Sequence, residues 1–130
     1  MREIKFRAWD NENQYMITSK QGVFTALQYN MKITRQNNGY YNNGELLKPI
    51  NGKYTLMQYT GLKDKNGVEI YEGDILENTA VNFKFVVKFE KTKYVLQKLE
   101  FPEDSLDMYD FFHRIPIMFE VVGNIYDKGE

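Results

Sequence analysis

The chain has no cysteine. That excludes a disulfide framework and a thiolate metal site. It also fits a reducing cytoplasm, the compartment expected here. There is one histidine, His113. A histidine-based metal cluster therefore lacks a second imidazole. Only three prolines interrupt 130 residues. Long apolar runs are missing too. Nothing approaches the roughly 20 apolar residues that a spanning helix needs, so no membrane partner is expected. The opening "MREIKFRAWD" mixes charged and apolar residues without an apolar leader core. No secretory signal is expected from it. Neither sign of charge dominates. Seventeen basic and eighteen acidic side chains leave a net charge of −1. A whole-molecule field that gathers nucleic acid or an anionic membrane is absent, so such binding needs a local patch.

Catalytic patterns are equally scarce. Neither GxGxxG nor the Walker phosphate loop occurs. "DKNG" (64–67) begins like a calcium loop but lacks the spaced oxygen ligands and the closing glutamate. Ser19 and Ser105 are the serines available to His113 as nucleophiles. Ser105 lies eight residues from His113, which on a helix separates them by more than ~10 Å. Glu69, Glu72, Asp74 and Glu77 are dense enough to supply a carboxylate pair. Glu69 and Asp74 flank a turn, however, where acidic groups are expected to be solvated. No catalytic residue, metal or cofactor is assigned, and a non-enzymatic protein is expected.

What the chain does have is aromatic side chains, 15% of the total, and a period of two. In "NFKFVVKFE", Phe83, Phe85, Val87 and Phe89 alternate with Lys84, Val86, Lys88 and Glu90. That pattern predicts a half-buried antiparallel strand. "YVLQKLEF" follows after Lys91-Thr92-Lys93, and the two read as a hairpin. Ile4, Phe6 and Ala8 alternate with Lys5, Arg7 and Trp9. "DNENQ" (10–14) is turn chemistry, and "YMIT" is a short partner strand. Phe119, Val121, Gly123 and Ile125 alternate at the far end. "VFTALQY" (23–29) suits strand or helix, with strand preferred. Residues 35–53 hold three Asn-Gly pairs and read as a long excursion. In "PEDSLDMYDFFHRIP", Ser105 is placed to cap a helix. Met108, Phe111, Phe112 and Ile115 follow helical spacing, with Pro116 ending it. One short helix is expected there. The expected core is Ile4, Phe6, Phe83, Phe85, Val87, Phe89, Val121 and Ile125.

The stretch "QYTGLKDKNGVEIYEGDIL" (58–76) reads as two reversals. Asp64, Asn66 and Gly67 suit a type I turn, and Gly73 suits a kink. Every small or acidic residue there has an architectural job available.

Three blocks, "IKFRAWD" (4–10), "LMQYTGLKDKNGVEIYEGDIL" (56–76) and "FEVVGNIYD" (119–127), occur in this order. In combination they resemble the YopX family of small proteins encoded by bacteriophages and prophages of low-GC Gram-positive bacteria. The blocks span under a third of the chain. The resemblance implies a mainly β fold, a small β-barrel or roll similar to an SH3-like domain, and a phage origin. It supplies no catalytic residue. One domain over residues 1–130 is expected, with long loops.

Two binding readings remain. The first is protein recognition through Arg7 and Trp9 on one strand face, joined by Tyr71 and Tyr126. Trp, Tyr and Arg are enriched in hot spots, although Trp9 is equally at home covering the core. Its partner would be a host or phage protein, or a second copy of the chain. The runner-up is nucleic-acid binding through a lysine hairpin, Lys84, Lys88, Lys91, Lys93 and Lys98, with Tyr94 and Tyr126 as stacking faces. Against it, Lys84 and Lys88 are also what the wet side of an amphipathic strand requires.

Overall fold

The computed structural model describes residues 4–36, 53–90, 93–111 and 113–127, with side chains at 30–36 and 111 left aside. The Asn-Gly excursion lies almost wholly outside them. The chain is mainly β and forms two compact units, one spanning Lys5–Gln58 and the other running from Tyr59 onward.

The first unit is a three-stranded antiparallel sheet under a helix. Its strands are β1 (Phe6–Asp10), β2 (Tyr15–Ile17) and the Tyr54–Gln58 part of β3 (Tyr54–Lys63), with β1 in the centre. Ala8 stands opposite Ile17 on one side and Leu56 on the other. The turn between β1 and β2 is built by Asp10. Its Oδ1 accepts the Glu12 and Asn13 amides, both at 2.9 Å.

Helix α1 (Lys20–Gln36) replaces the strand expected at Val23–Tyr29. Val23, Ala26 and Leu27 lie at i, i+3 and i+4, so they share one helical face. That face packs on Ala8, Leu56, Phe6, Ile17 and Tyr54. Ser19 caps the helix, its Oγ accepting the Gly22 amide at 3.0 Å. A local cap and a sheet to lie on outweighed β-propensity. Gly22 is where the helix meets β2, since a Cβ there would come within 2.5 Å of Ile17 Cγ2.

The second unit holds the rest of β3, then β4 (Glu69–Tyr71), β5 (Asp74–Asn78), β6 (Phe83–Glu90), β7 (Lys93–Lys98), β8 (Ser105–Asp107) and β9 (Phe119–Asn124). The last five of these form an antiparallel sheet in the order β8-β7-β6-β5-β9. Its core is Ile70, Leu76, Phe85, Val87, Tyr94, Leu96, Met108, Ile115 and Phe119. Burial of each such side chain contributes about 1.5–3 kcal/mol.

The expected β6–β7 hairpin forms, but burial along β6 does not alternate and the expected core is only partly correct. Phe85 and Val87 are buried, Val121 packs against the core, and Phe6 packs in the first unit. Ile4, Phe83, Phe89 and Ile125 are exposed. Eight residues of strand span about 26 Å, and only its middle is covered. Val86, on the opposite face, is buried as well.

The helix expected from Ser105 to Ile115 is also corrected. Ser105 pairs with Gln97 in β8 rather than capping anything. Leu106, opposite Leu96, packs on the core. A 3₁₀ turn (Met108–Phe111) and the short helix α2 (Ile115–Met118) follow. Met108 and Ile115, seven residues apart, both reach the core without a continuous helix between them. Pro116 sits in the first turn of α2, where its missing N–H costs nothing, instead of ending a helix. No described helix is long and apolar enough to cross a membrane.

Candidate functional site

Two carboxylates of the acidic turns, Asp64 and Asp74, are engaged with backbone amides. Asp64 is buried. Its Oδ1 accepts the Asn66 and Val68 amides at 2.8 and 2.9 Å, and its Oδ2 accepts the Val121 amide at 2.8 Å. One carboxylate thus closes its own turn and ties it to β9. Gly67 (φ +81°) and Gly73 (φ +91°) take the left-handed backbone that these reversals need. Asp74, one of the two carboxylates expected to be solvated, is buried too, and accepts the Tyr71 amide at 2.8 Å. Among the described residues, no group of three or more His, Asp or Glu side chains is placed to hold a metal.

The Asp10 turn carries the clearest titration. Burial pushes its carboxyl up. Hydrogen bonds from the Asn13 backbone and side chain and the Glu12 backbone, with the Lys53 ammonium nearby, outweigh this and hold it below the ordinary 3.8. Glu12, 2.9 Å from Lys53 Nζ, in turn holds that ammonium above its usual range. A depressed carboxyl stabilises the fold above its unfolded pKa, and that contribution is lost as pH falls through the folded value. Urea midpoints of Asp10→Asn should therefore lie below wild type at neutral pH and converge on it below about pH 3.8. A gap that persists unchanged at pH 2 would remove the carboxylate from the explanation.

The residues expected to recognise a protein are not assembled in one unit. Arg7 and Trp9 belong to the first unit, Tyr71 and Tyr126 to the second. Trp9 is only 5% exposed and takes the core alternative. Tyr71, expected outward, is 9% exposed, its ring 5.6 Å from that of Tyr59. Arg7 and Tyr126 are half-buried.

The lysine hairpin exists, but carboxylates answer most of it. Lys84 stands opposite Glu77 across β5 and β6. Lys93 Nζ lies 3.2 Å from Asp107. The Tyr109 amide and Lys93 hold the Asp107 carboxyl below its usual range. Lys98 is 3.9 Å from Asp104. Lys88 faces Val95, and Lys91 lies outside the described residues. Such pairs weaken the field a phosphate backbone would meet.

One end of the hairpin gathers something that alternation did not disclose. Asn82, Phe83, Lys84, Lys98, Leu99, Glu100 and Phe101 line a groove of about 420 Å³. Phe83, Leu99 and Phe101 are 45%, 43% and 51% exposed. Lys98 Nζ lies 4.8 Å above the Phe83 ring.

Both walls are pinned by backbone. Asn82, at φ +62°, closes the β5–β6 turn by donating its amide to Asn78 O at 2.7 Å. Across from it, Leu99 N donates to Lys84 O at 3.0 Å, one step past β7. Asp104 N then donates to Phe101 O at 2.8 Å, a turn with Pro102 at its second position. The strand expected in "YVLQKLEF" runs through Leu99 to Phe101. The strand instead ends at Lys98, and Pro102 was the signal for that. Exposed apolar side chains clustered around a groove and rimmed by charge are the ordinary mark of a recognition surface.

A mainly β chain of this element order defines a small β-rich protein class, and comparison supports it. The crystal structure of protein EF1440 from Enterococcus faecalis is similar with a TM-score of 0.60, over 98% of this chain and 96% of that one, at 22% sequence identity. At that identity the likeness speaks for the fold alone. The family model described as YopX protein matches residues 5–130. The chain belongs to the YopX family. No curated protein matches it.

Proposed function

We propose that the chain is a phage- or prophage-encoded accessory protein of the bacterial cytoplasm. It works as a non-enzymatic binding module and seats a protein partner in the groove of Phe83, Leu99 and Phe101. The supporting observation is that these three apolar side chains stand exposed on walls fixed by backbone hydrogen bonds. Preorganised walls lower the cost of ordering an interface. The phage setting rests on the family. The non-enzymatic part rests on Asp64 and Asp74, whose oxygens are engaged with backbone amides.

Affinity capture from cells expressing the phage genes, with and without nuclease, tests the reading. A specific host or phage protein should be retained after nuclease treatment. Phe83→Ala with Phe101→Ala should reduce its retention about tenfold or more, with the melting temperature little changed. Retention untouched by that double variant would remove the groove from the function.

The second reading, single-stranded nucleic acid, has one observation in its favour. A cation lies over an exposed aromatic ring at Lys98 and Phe83, with Phe101 beside the same groove. It requires retention to vanish with nuclease and to fall steeply with salt.

A further inference from the structure

The groove has a chemical polarity of its own, and this deepens the reading of it as a protein-binding site, on which it rests. Lys84 and Lys98 line it, against one lining carboxylate, Glu100. The Lys98 ammonium lies over the Phe83 ring and has one exposed carboxylate near it. Its distance to Asp104 is 3.9 Å, at the outer edge of ion pairing, and the Asp104 side chain is 58% exposed. A carboxylate arriving from outside competes with a weak, hydrated partner, because exposed pairs of this kind contribute about 0–1 kcal/mol.

Apolar side chains line the groove beside these cations. Phe83 and Phe101 offer rings, and Leu99 offers an aliphatic surface. A groove of about 420 Å³ lies in the range that takes a few side chains rather than a folded domain face. Two carbonyls of the groove are already engaged, Lys84 O by Leu99 N and Phe101 O by Asp104 N. The lining side chains are what the groove offers for recognition.

We infer that the groove accepts a short acidic peptide segment of a partner protein, with one large apolar side chain seated among Phe83, Leu99 and Phe101 and flanking carboxylates directed at Lys84 and Lys98. The alternative anion, a nucleic-acid backbone, fits less well. Leu99 has no π-face for a base to stack on.

Fluorescence anisotropy with four labelled probes tests this on the full chain. The probes are a short peptide of Asp and Glu around a central Phe, the same peptide with Lys and Arg for the acids, the acidic peptide with Ala for Phe, and an oligothymidine. The acidic Phe peptide should bind about tenfold or more tightly than each of the other three. Lys84→Glu with Lys98→Glu should invert the preference toward the basic peptide. Phe101→Ala should weaken the acidic Phe peptide without inverting anything. Equal binding of acidic and basic peptides, or tightest binding of the oligothymidine, overturns the inference.

Failure here is separable from failure of the protein-binding reading. If no peptide binds but the double phenylalanine variant still loses captured protein, the groove stands and this peptide chemistry falls. If capture survives that variant, the groove itself falls.

Discussion

Leu76→Ala is expected to lower the unfolding free energy by about 4 kcal/mol, a third or more of what a typical domain has. Leu76 is fully buried in β5, which lies between β6 and β9. Phe85 stands opposite on one side and Val121 on the other. Both neighbours are held by strand ladders and cannot collapse into the space that alanine leaves. The loss therefore combines the transfer term with a cavity term. Urea denaturation checks this, with the midpoint moving down while the slope stays constant. Phe83→Ala is the internal control. It removes a larger side chain, yet one that is 45% exposed, and should cost under about 1 kcal/mol. If Phe83→Ala proves the more damaging of the two, the core has been put at the wrong end of the sheet.

Asp64→Ala should cost about 3 kcal/mol and should act on two distant parts of the chain. Three backbone amides lose their acceptor at once, those of Asn66, Val68 and Val121. A buried donor left unmatched costs about 1–3 kcal/mol, and water at the partly buried turn recovers some of that. Asp64→Asn separates the two oxygens. An asparagine oxygen in the Oδ1 position keeps the Asn66 and Val68 amides, while its NH₂ would face the Val121 N–H, donor against donor. That variant should cost about half as much as the alanine. Hydrogen exchange gives the decisive readout, because the Val121 amide should lose protection in both variants and the Val68 amide only in the alanine. A Val121 amide that stays protected in Asp64→Ala would show that β9 is held by other means.

The same carboxylate shows how far the chain can be read without coordinates. The Asp64–Gly67 reversal was legible because an aspartate that bonds amides two and four residues on, followed by a glycine at positive φ, is local chemistry. Its second oxygen reaches Val121, 57 residues away. No spacing rule states that. The segment containing Val23, Ala26 and Leu27, where strand was preferred, went to helix for a related reason. Its apolar residues suit either period, and the choice fell to the Ser19 cap and to a sheet waiting at Ala8 and Leu56. Around Ser105 the helical spacing of Met108 and Ile115 was real, yet it recorded a shared destination in the core rather than a shared helix.

Alternation along β1, β6 and β9, the reversals at Asp10, Asp64 and Gly73, the scarcity of metal ligands and the three family blocks were all properties of the chain as written. Each depends on neighbours a few residues away, so the order of amino acids determined them. Which stretch of each strand lies under cover was decided only in three dimensions. Phe83 and Phe85 point to the same side of β6, and one is exposed while the other is buried. The pleat sets the side to which a residue points, but only the layer packed above it sets whether water reaches it. The groove at Phe83, Leu99 and Phe101 exists because that layer ends before the strand does.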